Sequence, residues 1–342
     1  MGLFSPSKKG VGIDLSSNKI KIVYWHKNKV VDFEIVNLSK ETLVDGEIMD
    51  RAEIIEKFTV LQNSKKFKKF NDYVSVVIPP RGVFVKYLEI LKEGNLEIDD
   101  IIRYEIENSI PISLDEVYLD YDKIYEDDEK VKLVFVAARK DTVIDFLSIF
   151  KELNFPIHSI DVIPISVYNV FEYNYPEWSE SACCLFHIGM DFTHIIFVYR
   201  KVPVFVRDLP FGLHYIIREI EDRFVVPSED AERILKEEYD RDEVKEVISN
   251  FSRSLKDHFD RSLGILPSEF GENMGRIFLS GEGNFIPGIY DYISEYFGFE
   301  AVKLDPFMRL DYNKKNADLL LNDTLLCPAI GSLLKEFLEM KK

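Results

Sequence analysis

Apolar and polar positions alternate with a period of two from residue 11, so "VGIDLSSNKIKIVYW" (11–25) and "KVVDFEIV" (29–36) read as strands joined by a turn at Lys27 to Lys29. "RAEIIEKFTVLQNSKKF" then takes the helical period, and "YVSVVIPP" is a buried strand ended by prolines. Residues 83–160 read as a separable α+β unit. Its strands are "VFVKYLEIL", "EVYLDYDKIY" and "KVKLVFVAA"; its helices are "EIDDIIRYEIENSI" and "DTVIDFLSIFKELN". The first helix sets Ile101, Ile102, Ile106 and Ile110 near one face, which predicts packing on the small sheet.

From Cys183 the opening pattern returns in "CCLFHIGMDFTHIIFV" (183–198): strand, glycine turn, strand. Such an echo predicts two related lobes facing each other across a cleft, where ligands commonly sit. Residues 228–264 read as helical, with Ser228 as the expected N-cap. "RIFLSGEGNFIPGI" reads as strand, glycine turn and helix start. Ile330, Leu333, Leu334, Phe337 and Leu338 form a closing apolar stripe.

Composition narrows the function classes. With 342 residues, 46% apolar and 30% charged, the chain suits two domains or one two-lobed body. A net charge of −17 repels a phosphate backbone and anionic lipid, so no nucleic-acid ligand and no direct membrane adsorption are expected. Cys183, Cys184 and Cys327 have neither metal-ligand nor disulfide spacing, and adjacent Cys183 and Cys184 on a strand point to opposite faces. No secretory signal is evident, and no apolar run approaches the ~20 residues of a membrane span. Pro6 breaks the myristoylation pattern at the start, where Leu3, Phe4, Lys8 and Lys9 read as a frayed terminus. A cytoplasmic protein, at the membrane only through a partner, is expected.

Three turns carry candidate chemistry: "GIDLSSNKIK" (12–21), "HIGMDFT" (187–193) and "LSGEGNFIPG" (279–288). Singly each is a common strand-turn pattern. In this order they place backbone N–H groups and hydroxyls of two lobes around a triphosphate, with a helix N-terminus from the third. Ser17, Gly189, Thr193, Gly281 and Gly283 are the residues this points to.

That order resembles the actin-like ATPase fold, an α/β, ribonuclease H-like duplicated, two-lobed architecture with an inserted small α+β subdomain. "IIRYEIENSIPISLDEVYLDY", "VFVAARKDTVIDFLSIFKELNFPIHSIDV", "LPFG", "AERILKE", "LSGEGNFIPGI" and "PAIGSLL" are similar, in order, to segments of the PilM family of type IV pilus assembly proteins, over nearly the whole chain. The resemblance implies a first core lobe from 1–82, 161–182 and 325–342, and an inserted subdomain at 83–160. It implies a second core lobe from 183–225 and 271–324, with a helical part at 226–270. It also implies a cytoplasmic adaptor that binds ATP with Mg2+ between its lobes. A groove beside the inserted subdomain would hold the N-terminal tail of a PilN-like inner-membrane protein, and the adaptor would join a pilus motor ATPase complex. Arg81, Lys86, Arg139 and Lys140 are candidate groove residues.

By the same resemblance Asp14 is the acid that holds Mg2+ through water and Lys21 closes the first phosphate loop. Ser16 stands where glycine is usual, and its hydroxyl is a substitute contact. His187 replaces the acid of the second loop, and Mg2+ prefers oxygen ligands, with Asp191 within reach of the same water shell. The plainer reading of His187, a strand-end histidine bonded to backbone, is favoured over a catalytic base. Ile163 aligns with the water-orienting Gln or Glu, a task no alkyl group performs. Glu232 matches a ribose-contacting acid, with Lys236 one place from its lysine partner. Glu282 is either an exposed loop acid or a competitor of phosphate for the positive helix end.

The expectation is therefore a nucleotide cleft retained but degenerate, no catalytic residue, and weak or absent hydrolysis. An FtsA-like filament-forming ATPase is the structural alternative. It calls for a membrane-targeting helix beyond the last core helix, whereas the chain here stops at Lys342, and the closing stripe is expected to be core. A sugar-kinase-like enzyme is the third reading, and the altered second loop speaks against it.

Overall fold

The computed structural model describes residues 9–92, 98–178, 181–266 and 268–337. Leu3, Phe4, Pro6, Lys8 and Leu338, read above, lie outside them. The strands are β1 (Lys9–Asp14), β2 (Lys19–His26), β3 (Lys29–Asn37), the short β4 (Leu43–Val44) and β5 (Glu47–Ile48), and β6 (Val74–Ile78). Next come β7 (Val83–Leu91), β8 (Val117–Glu126), β9 (Lys130–Arg139) and β10 (Ser159–Val162). The rest are β11 (Ala182–Ile188), β12 (Thr193–Tyr199), β13 (Val202–Leu209), β14 (Met274–Ser280), β15 (Glu300–Lys303) and β16 (Asp311–Tyr312).

Two sheets share one plan. In the first, β1, β2 and β3 form an antiparallel meander, and β6 then β10 add parallel on the free side of β1. In the second, β11, β12 and β13 make the meander, and β14 then β15 add parallel beside β11. Even the second hairpins agree: Lys27 and Asn28 at one, Arg200 and Lys201 at the other, all four at positive φ, as two-residue turns of the type I′ kind require. This is the duplicated two-lobed layout expected from the sequence. The inserted unit is a separate sheet in the order β7-β9-β8, covered by the helix Ile98–Ser109 through Ile102 and Ile106.

Between the two large sheets lie the helices Ile163–Asn174 and Cys327–Phe337. Ile330, Leu333 and Leu334 are fully buried there, so the closing stripe is core. A Cβ on Gly331 would stand 1.8 Å from the Ser166 carbonyl oxygen, and one on Gly12 would stand 2.0 Å from that of Ala329, so glycine lets the helix sit against both its neighbour helix and β1. Cys183 faces this layer while Cys184 faces the helices on the far side of the second sheet, as the strand period requires.

Several boundaries differ from the sequence reading. The helix of residues 51–67 is two, Arg51–Asn63 and Lys65–Phe70, because extended Ser64 accepts from Phe67 N–H and caps the second. The stretch 228–264 is likewise two helices, Ser228–Glu237 and Asp242–Leu263. Ser228 is not the cap: Pro227 holds that position, and the Ser228 hydroxyl accepts from Lys40 instead. The chain also returns to the first lobe earlier than residue 325, since β16 pairs with β3.

Candidate functional site

The three turns converge where the lobes meet. Asp14 and Lys21 are directly opposed in the β1–β2 ladder, and Lys21 Nζ lies 3.2 Å from Asp14 Oδ2. Glu282 enters from the other lobe, on the turn after β14, with Oε1 3.0 Å from the same ammonium. All three side chains are at most 2% exposed. Burial, the largest influence on Lys21, disfavours its charge, but Asp14 and Glu282 together outweigh it and hold the amine protonated well above the usual lysine range. Glu282 is thus not an exposed loop acid.

The second loop is also tied into the protein. His187 is buried, with Nδ1 3.0 Å from Ser280 Oγ, so its partner is a side chain rather than the backbone expected. Burial first, then His194 and Lys21, push its pKa well below the normal imidazole value, which keeps it neutral. Asp191 Oδ1 is 2.7 Å from His214 Nδ1. Thr193 Oγ donates to Phe211 O at 2.8 Å, Gly189 N–H to Phe192 O at 2.8 Å, and Gly281 N–H to Thr324 O at 3.0 Å. Gly281, at φ +83°, and Gly283 have a structural reason to be glycine: a Cβ on either would lie 2.5 Å or less from Ile188.

What remains open is small. Ser16, Ser17, Ile163, His187, Gly189, Asp191, His194 and Glu282 help line a space of ≈ 10 Å³ for a water-sized sphere. That is room for about one water, against roughly 300 Å³ or more for a drug-sized ligand. Ser17 Oγ, His194 Nε2 and Glu282 Oε2 are buried beside it without a hydrogen-bond partner among the described residues. In this arrangement the residues do not fit a Mg2+-triphosphate, because the lysine and three of the donors such a group needs already have protein partners. At the rim, Lys40 of the first lobe lies 3.9 Å from Glu232 and donates to Ser228, while Lys236 is exposed one turn further along. Glu232 and Lys236 therefore stand apart from the inner cluster.

Sequence reading missed His194, whose Nδ1 is 2.6 Å from Asp208 Oδ1, and His214. The signal was present for the first of these: His187 and His194 are seven residues apart, as are Asp14 and Lys21, and each pair is directly opposed across its hairpin.

A larger groove, ≈ 280 Å³, lies between the first lobe and the inserted unit. Ile48, Met49, Ile78, Pro79 and Phe146 give it apolar walls, with Glu47, Asp141, Asp145 and Arg81 among them. Of the four basic candidates, Arg81 lines it, paired with Glu47 at 2.7 Å. Arg139 holds Asp141 at its edge, Nε to Oδ1 3.0 Å. Lys86 and Lys140 do not line it. Lys86 caps the carbonyl of Ser109 at the end of a helix, and Lys140 donates to Asp115 O at 2.8 Å.

The chain is similar to known proteins at two levels. The family model described as "Type IV pilus assembly protein PilM" matches residues 12–337. Among solved structures, the fold resembles that of a PilM-PilN type IV pilus biogenesis complex, with a TM-score of 0.79 at 17% identity, covering 97% of this chain and 99% of that one. An MreB protein of Spiroplasma citri bound to AMPPNP follows at 0.60 and 12% identity, with 97% of each chain covered. The ethanolamine utilization protein EutJ from Carboxydothermus hydrogenoformans gives 0.58 at 14%, covering 97% and 90%. No curated protein sequence matches.

Proposed function

The chain belongs to the PilM family of type IV pilus assembly proteins, and from that premise we propose that it is an adaptor whose ≈ 280 Å³ groove grips the N-terminal tail of a PilN-like inner-membrane protein. The groove carries this reading. Its apolar walls suit the alternate side chains of an extended peptide, while Arg81 and the three carboxylates supply polar partners at the rim. Among the described residues no helix is long and apolar enough to cross a membrane, so on this reading a cytoplasmic platform reaches the inner membrane through its partner and connects it to the pilus motor complex.

The cleft between the lobes serves this role as a joint, with weak or absent hydrolysis. Ile163 presents an alkyl group at the cavity and cannot orient a water, and neutral, buried His187 is a poor substitute for a hard oxygen ligand of Mg2+. ATP entry requires the lobes to part and Lys21 to change partners.

Titration calorimetry of the full chain with synthetic N-terminal tails of candidate membrane proteins is the test. Saturable binding that groove substitutions weaken supports the adaptor. Binding that ignores them, or brisk phosphate release from ATP by the pure protein, overturns it.

A further inference from the structure

We propose that Glu282 is an internal anionic ligand of Lys21, a carboxylate of the second lobe standing where an external phosphate would otherwise engage that lysine, and that it thereby excludes nucleotide and fastens the lobes together. Three observations support it independently. The Lys21 ammonium is buried between two carboxylates, one from its own hairpin at 3.2 Å and one from across the cleft at 3.0 Å, so its attraction for a further anion is already met. The turn that brings Glu282 there is fixed: Gly281 sits at φ +83° and donates its N–H to Thr324 O, while Gly283 packs on Ile188. Finally, the residual space admits about one water.

The charge count gives direction to the competition. Asp14, Lys21 and Glu282 sum to −1 with His187 neutral, so a phosphate approaching Lys21 meets a net negative cluster in a weakly screened interior. It can enter only if Glu282 leaves, and its apparent affinity falls by the fraction of molecules in which Glu282 has done so. The inference rests on reading the cleft as a former nucleotide site and is independent of what the groove holds.

The test titrates full-length protein with a fluorescent ATP analogue in Mg2+, for wild type, Glu282→Gln, Glu282→Gly and Lys21→Met/Glu282→Gln. Expected are no saturation of the wild type at millimolar analogue, a gain of about tenfold or more in both single variants, and loss of that gain when Lys21 is also replaced. Glu282→Gln keeps the shape of the side chain, so it remains informative should the glycine variant fold poorly. Micromolar saturation of the wild type alone overturns the proposal, as does a gain that persists without Lys21. Tail-peptide affinity, measured on the same samples, reports on the adaptor separately: its absence throughout would sink that reading and leave this one standing.

Discussion

Asp14 and His187 occupy the same place in the two lobes. Each lies on the first strand of its meander, directly opposite the residue seven positions later, Lys21 in one case and His194 in the other. An acid and an ammonium face two imidazoles whose ring centroids are 6.1 Å apart. The two hairpins share one backbone geometry, yet where the first carries an acid and an ammonium the second carries hydrogen-bonded rings, His187 to Ser280 and His194 to Asp208, and the cleft's chemistry follows from that difference.

His187 gives the protein an acid limit. Its folded pKa is depressed, chiefly by burial, so the unfolded chain takes up a proton first, near the ordinary histidine value of about 6.5. The sign is fixed: the stabilisation is present above that value and is lost as pH falls through it. Urea midpoints measured from pH 8 to 5 should decline below about 6.5, by up to ~1.4 kcal/mol per pH unit for this one proton, and His187→Asn should flatten that part of the curve. An unchanged profile in the variant would assign the acid lability to other groups.

Lys21 predicts the opposite limb. Its folded pKa is raised, so its contribution is complete below the unfolded value of 10.5 and is lost as pH climbs from there towards the folded one. Replacing it by methionine strands two buried carboxylates, and removing one partner of a buried pair typically costs ~3–5 kcal/mol. Lys21→Met should therefore destabilise far more than Glu282→Gln, which leaves Lys21 paired with Asp14. Equal losses in urea would mean that the cation is not the centre of the cluster.

The groove reading predicts a separable surface effect. Met49 lines the groove and is 65% exposed, so a charged substitute costs little folding energy while spoiling an apolar wall. Met49→Glu should leave the melting temperature within about a degree or two and lower tail affinity about tenfold, the scale of an interface residue worth ~1.4 kcal/mol. Lys86→Ala, on a side chain that caps Ser109 O outside the groove, should leave tail affinity unchanged.

Much of this fold was legible because period and order are local signals. The alternation through 11–36 and its echo after Cys183 gave both meanders, and the isoleucines of the inserted helix gave its buried face. What was not legible depends on pairings across the chain. Glu282 reads in sequence as a polar residue between two glycines, and only the meeting of the lobes, 261 positions from Lys21, shows that it is buried. Lys86 and Lys140 look like groove residues until their ammonium groups are seen satisfying carbonyls elsewhere. Side chains with long reach choose partners that neighbouring sequence does not announce.

The glycines separate two kinds of constraint, and that separation can be measured. Gly331 lies within a helix, so its backbone tolerates any L-residue, yet a Cβ there would stand 1.8 Å from the backbone oxygen of Ser166. Backbone of a packed helix cannot swing aside as a side chain would, so Gly331→Ala must push apart the two helices between the sheets. Overpacking of this kind usually costs 1–3 kcal/mol, and a backbone obstacle puts the expectation at about 3 kcal/mol or more. Gly298 is the converse: at φ +74° with nothing within 4 Å of a Cβ, it has space but an unfavourable conformation for alanine, worth roughly 1 kcal/mol. Urea midpoints at constant slope should rank Gly331→Ala well below Gly298→Ala. Should the order reverse, the close crossing of Ile163–Asn174 with Cys327–Phe337 would not be what holds the two sheets in place.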